Sequence, residues 1–336
     1  MPSCPEERPQ RPRTAAGLFA AALVLALAAL ALALFTGSAQ LGAADVLAAL
    51  GGTAEDTVRA VVLELRLPRA LTAFAVGGLL AVAGVLMQVL LRNPLAEPYI
   101  LGTSGGAAVA ALAMMAAGAG MAAVDGAAFA GALGANLLVF TIARGSGSWT
   151  PTRLLLTGVV LAAGFSAVTT LLLALSPDAH LRGMLFWLMG DLSFAQAPGR
   201  LLALLALLGA GATLAARELN VLARGETEAA ILGLPVTAYR FALFAATALA
   251  VSISVTAVGV IGFVGLVVPH LVRLLSGSDH RLVVPLSALV GGALLVVADT
   301  AARSLMAPRQ LPVGALTAAL GVPIFLYLMS RTGRLR

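Results

Sequence analysis

A chain of 336 residues that is 60% hydrophobic and 11% charged cannot cover a water-facing surface, because soluble domains carry about 25% charged residues. Its formal charge of +6 rests on 21 basic residues, all arginine, against 15 acids; these arginines are scattered over loops and helix ends, which excludes a basic nucleic-acid face and suits topology control in a membrane. The single cysteine, Cys4, excludes an internal disulfide.

Residues 1–14, MPSCPEERPQRPRT, read as a polar cytoplasmic tail. Apolar windows between turn and charge clusters then predict ten spans, at about 15–35, 70–91, 99–118, 123–143, 153–175, 198–216, 240–259, 262–275, 283–302 and 312–330. The first is too long for a signal-peptide core and reads as a retained helix. The stretch 36–69 holds DVLAAL, a short surface helix within an outside loop. The eighth span cannot cross a hydrocarbon core of about 30 Å at 1.5 Å per residue. Protein or a water-filled cavity must therefore surround its ends. Between the sixth and seventh spans, residues 217–239 (RELNVLARGETEAAILGLPVTAY) are polar and broken at Gly225 and Gly233. They read as one or two short helices on the cytoplasmic face. Alternating the spans from an inside N-terminus places Arg92, Arg144, Arg153, Arg217, Arg224, Arg240, Arg273, Arg281 and both tails inside. Arg59, Arg66, Arg69, Arg182, Arg200, Arg303 and Arg309 fall outside. The bias predicts an all-α polytopic membrane protein with both termini cytoplasmic.

Span interiors nearly free of charge argue against a proton- or sodium-coupled carrier. Asp299 and Arg303, four residues apart, share a helix face and are expected to neutralise each other near the outer surface. His270 has no second ligand at metal spacing and is assigned to packing; His180 and His280 fall between spans and read as solvated. No metal site and no nucleophile–base set stands out, and a Walker A loop cannot be built without lysine. No cofactor is expected, and ATP must be bound by a partner if it drives this chain.

Four stretches carry a resemblance: RLPRALTAFAVGGLLAVAGVLMQVLLRNPLAEPYILGTSGGA (66–107), LFWLMGDLS (185–193), VGVIGFVGLVVPHLVRLLSGSDHRLVVPLSALVGGALLVVADTAAR (258–303) and LPVGALTAALGVPIFLYLMSR (311–331). Together they resemble the FecCD-type permeases of binding-protein-dependent ABC importers, over residues 60–331. The resemblance implies a single permease domain, 15–331, in a bacterial inner membrane, working as a homodimer with two ATPase subunits and a periplasmic binding protein. It implies transport of a ferric siderophore, haem or cobalamin, with the breadth of the family favouring iron chelates, and no enzymatic activity in this chain. By the same resemblance Arg66, Arg69 and Arg303 receive glutamates of the binding protein. Asn93 and Leu95 form one gate and Thr150, Pro151 and Thr152 a second, with the fifth and tenth helices lining the pore wall. Gly225, Glu226, Ala229, Leu232 and Gly233 form the segment that seats in the ATPase. Gln310 stands where the family commonly has glutamate, which is expected to alter pairing near Arg303. An ion-coupled carrier and a membrane-embedded enzyme are the competing classes.

Overall fold

The computed structural model describes residues 15–37, 41–145, 150–193, 198–307 and 309–332. The predicted tail with Cys4, Arg8, Arg11 and Arg13 lies outside them, as do Arg334 and Arg336 and the side chain of Arg331. All regular structure among the described residues is helical. In chain order α1 (Ala15–Phe35) and α2 (Ala43–Gly51) precede α3 (Asp56–Arg59), which continues through a π-helical stretch (Ala60–Arg66) into α4 (Leu67–Leu91). A 3-10 turn (Pro98–Leu101) leads to α5 (Thr103–Ala116), α6 (Met121–Arg144), α7 (Pro151–Leu175), α8 (Asp178–Leu188) and α9 (Pro198–Leu214). The chain ends with α10 (Ala216–Arg224), α11 (Glu226–Ile231), α12 (Val236–Val258), α13 (Val264–Ser276), α14 (His280–Ser304) and α15 (Val313–Thr332).

Each predicted window holds an apolar helix, but their lengths differ. Among the described residues six helices are long and apolar enough to cross a membrane, and α9 with α10, bent by 62°, makes a seventh if the pair is one span. α5, α13 and the Val313–Tyr327 part of α15 are shorter apolar helices. Chain breaks explain the short ones. The third window is split at Gly102, whose φ of +71° ends the 3-10 turn, and α13 starts after the Gly259–Phe263 interruption. The second window begins too late: the helix runs unbroken from Asp56, so much of the predicted outside loop is helical. The surface helix expected in that loop is α2, and the two short helices expected in 217–239 are α10 and α11. No window predicted α8.

α4 is the axis of the bundle, with 94% of its most apolar window buried. It packs against α14, α12, α9 and α13. Small residues permit this: a Cβ on Gly84 would overlap the Gly265 carbonyl of α13, and one on Gly77 the Gly291 carbonyl of α14. Close backbone approach replaces the hydrophobic drive that lipid does not supply. α1 shows the opposite design. Ala22, Ala26, Ala29 and Ala33 form a buried seam against α14, while Leu23, Val24, Leu25, Leu27 and Leu32 stay exposed. Only 6% of the α7 window is buried.

Candidate functional site

Polar side chains gather at the two ends of α4, about 37 Å apart at 1.5 Å per residue. At the first end Arg69 grips Asp299. Its Nε donates to Oδ1 and Oδ2 at 3.1 and 2.9 Å, and Nη2 donates to Oδ1 at 2.8 Å. Such forked, charge-assisted bonds fix geometry as well as energy. The Arg303 Nε lies 3.8 Å from Asp299 Oδ2, so the expected i,i+4 pair exists, but Arg69 is the closer partner. Arg303 Nη2 also donates to the Ala33 carbonyl at 2.5 Å, and Arg66 Nη1 to the Leu34 carbonyl at 2.6 Å. Two guanidinium groups thus satisfy last-turn carbonyls of α1 that have no partner within the helix.

Arg66, Arg69 and Arg303, the arginines expected to meet a binding protein, are brought together around Asp299 and the end of α1, yet two of them are not exposed cations. Arg66 is 4% and Arg303 7% exposed. Arg69 reaches towards solvent, where its Nη1 donates to Gln310 Oε1 at 3.3 Å, and Ser193 Oγ donates to the same oxygen at 3.0 Å. Gln310 therefore meets Arg69 rather than Arg303. A cavity of about 860 Å³ beside them is lined by Arg182, Asp191, Ser193, Arg309 and Gln310 among others.

At the other end, α4 stops at Arg92, whose φ of +48° turns the chain. The next residues form a tight turn in which the Leu95 N–H donates to Asn93 Oδ1 at 2.9 Å; Leu95 itself is 41% exposed. Thr150 caps α7 by accepting from the Arg153 N–H at 3.2 Å, with Pro151 preset for the first turn. Thr150, Pro151 and Thr152 share a cavity of about 540 Å³ with Arg92, Glu226 and Arg240. Asn93 lines a different cavity of about 610 Å³, with Gln88, Pro94, Arg224, Arg273 and His280. The two predicted gates are thus not one cluster; Arg92 borders both cavities.

Within 217–239, Gly225 separates α10 from α11, and Gly233, at φ +82°, lies just beyond α11. Glu226 opens α11 and is held by Arg240 Nη1 at 3.0 Å and by Arg92 Nη2 at 3.8 Å. Ala229 is fully buried, while Ile231 and Leu232 stand 79% and 69% exposed. An apolar pair left uncovered on a short helix has the character of a partner contact.

Sequence reasoning missed several of these groups. In the sequence Arg92 and Arg240 carry a topology signal only. Glu97 gives no signal in the sequence, but its Oε1 accepts the Phe263 N–H at 2.9 Å ahead of α13. Burial raises its pKa, with that hydrogen bond acting in the opposite direction. His280 is not solvated: it is 3% exposed, and its Nδ1 lies 2.6 Å from Asn220 Oδ1. A partly buried Arg273–Gln88 hydrogen bond joins α13 to α4. His270 packs edge-on to Phe325, centroids 6.5 Å apart.

A family model described as the FecCD transport family matches residues 24–331. The chain is 41% identical over 280 residues to the vitamin B12 import system permease protein BtuC of Escherichia coli O127:H6, covering 81% of this chain and 84% of the relative. The same protein of Escherichia coli K12 matches at the same identity and coverage. Among solved structures, an inward-facing metal-chelate type ABC transporter superposes with a TM-score of 0.81 at 29% identity, covering 94% of this chain and 99% of the other. PsaBC from Streptococcus pneumoniae, at 18% identity and a TM-score of 0.58 over 80% of this chain and 93% of the other, shares the fold.

Proposed function

This chain belongs to the FecCD transport family, and we propose that it is one half of a homodimeric import pore driven by two partner ATPases. It is an ABC importer permease of the FecCD and BtuC type and not an enzyme. In this reading all ten apolar windows cross a bacterial inner membrane, both termini are cytoplasmic, and residues 15–331 form one permease domain. The observation that carries the homodimer is α7. Its window is only 6% buried within one copy, and Ser166 and Thr170 stand among exposed leucines and valines on it. A helix with hydroxyls on its uncovered face suits a pore wall completed by a second copy.

The Arg92 end then faces the cytoplasm. Gly225, Glu226, Ala229, Leu232 and Gly233 seat in the ATPase, with Ile231 beside Leu232 as an added apolar contact. Asn93 with Leu95, and Thr150 with Pro151 and Thr152, open and close the inner mouth. A periplasmic binding protein docks at the Arg69 end, where acidic side chains meet Arg69 and the field of Arg66 and Arg303; complementary charge of this kind fixes register and speeds docking. The identity with BtuC favours cobalamin as cargo. An iron complex, ferric siderophore or haem, is the second reading, favoured by the metal-chelate type neighbour.

Proteoliposomes holding the permease with its ATPase test this. Uptake of cobalamin that requires ATP, the ATPase and the binding protein is the expected result, and uptake of a ferric chelate under the same conditions selects the second reading. Uptake that follows an ion gradient without the ATPase would overturn both.

A further inference from the structure

Arg92 and Phe263 are the described non-glycine residues with positive φ. A left-handed backbone disfavours any residue with a Cβ, and glycine takes it freely. An arginine kept in such a place points to a use for its side chain. Arg92 borders the cavity of Asn93 and Pro94 on one side and that of Thr150, Pro151 and Thr152 on the other. Its Nη2 lies 3.8 Å from Glu226 Oε1, while the other Glu226 oxygen accepts from Arg240 Nη1 at 3.0 Å. Glu226 and Arg92 are 30% and 42% exposed. Ion pairs so open to solvent contribute little to stability, so stability does not explain a strained residue retained to make one.

We propose that Arg92 is a positioning residue that carries displacement of α11 to both inner gates. The inference rests on the import-permease reading above. Glu226 moves with the first turn of α11, and Arg240 ties it to α12. Arg92 precedes Asn93 directly, so a pull on its guanidinium is a pull on the Asn93 turn. Its place beside Thr150–Thr152 transmits the same movement to the start of α7. Removing the Glu226 charge leaves two guanidinium groups facing each other across the cavity, which separates α11 from the end of α4.

The test uses the complete complex of permease, ATPase and binding protein in proteoliposomes, reading substrate taken up per ATP hydrolysed. Arg92→Lys keeps the cation, Arg92→Gly keeps the backbone, and Arg92→Gln keeps neither. The expected result is near-normal coupling for Lys and a loss on the order of tenfold for Gly and Gln, the size typical of a coupling between sites. ATPase co-purification with each variant reports assembly. Glu226→Gln should show the same loss, and Glu226→Gln with Arg92→Gln no further loss, because partners in one link are not additive. Normal coupling in Arg92→Gly, poor coupling in Arg92→Lys, or multiplying losses in the double variant would each overturn the inference. If the unaltered complex fails to couple uptake to ATP, the import-permease reading itself falls.

Discussion

The two ends of α4 use the same residue types to different effect. Around Asp299, side-chain exposures are 14% for Arg69, 3% for Asp299 and 8% for Arg303. Around Glu226 they are 42% for Arg92 and 30% for Glu226, with only Arg240, at 9%, withdrawn. At the first end one buried carboxylate takes forked bonds from Arg69, with Arg303 3.8 Å away, and the last turn of α1 is capped. At the second, one carboxylate is stretched between two arginines beside open cavities. Buried charge that is fully paired resists movement, because opening it exposes an uncompensated ion. Solvated pairs exchange partners at little cost. The difference separates an end held by largely buried charge from an end whose charges are partly solvated.

The largest test of that contrast removes each central carboxylate. Asp299→Ala leaves Arg69 and Arg303 without their counter-charge, and should cost about 3–5 kcal/mol in thermal unfolding of the detergent-purified protein. Glu226→Gln unpairs one withdrawn arginine, Arg240, but keeps an amide that can hydrogen-bond to it, and should cost clearly less in the same assay. Equal losses would abolish the distinction between the ends. Next in size is the seam that keeps them at a fixed separation. Gly84→Ala forces a methyl onto the Gly265 carbonyl, and overpacking of this kind costs about 1–3 kcal/mol, read as a lowered Tm. Thr150→Ala removes the cap of α7 and should cost about 1 kcal/mol, with the deficit seen as faster hydrogen exchange confined to the first turn of α7.

The smallest effect concerns pH. The Asn220 side chain and the Arg281 N–H hold the Asp279 carboxyl below its ordinary range. A carboxyl with a lowered folded-state pKa stabilises above its unfolded value, and that contribution is lost as pH falls through the folded one. Asp279→Asn should flatten the acid side of a Tm-versus-pH curve and leave its neutral side nearly level. An unchanged acid slope would show that Asp279 has no part in it.

The apolar helices were legible because hydropathy records removal from water, whether into protein or lipid, and the 217–239 helices because polar residues and two glycines interrupt that record. Which helix becomes the axis was not. α1 and α4 both read as apolar throughout, and only the Gly84–Gly265 and Gly77–Gly291 contacts, made between segments far apart in sequence, bury one and leave the other at the rim. The same limit applies to charge. Spacing revealed Asp299 with Arg303, four residues away, but Arg69 is 230 residues distant and makes the shorter contacts. His280 looked solvated for the same reason: Asn220, which shields it, lies 60 residues earlier.

The clasp on α1 has a consequence for how the chain is made. The carbonyl of Ala33 waits for Arg303, 270 residues downstream, and the alanine seam waits for α14 as well. At synthesis rates of about 5–20 residues per second, that wait lasts roughly tens of seconds. During it α1 has only the helices made before α14 as neighbours, and its alanine seam lacks the surface it packs on. α1 is therefore locked in place only once α14 has been made, and a chain interrupted before α14 would leave that seam uncovered.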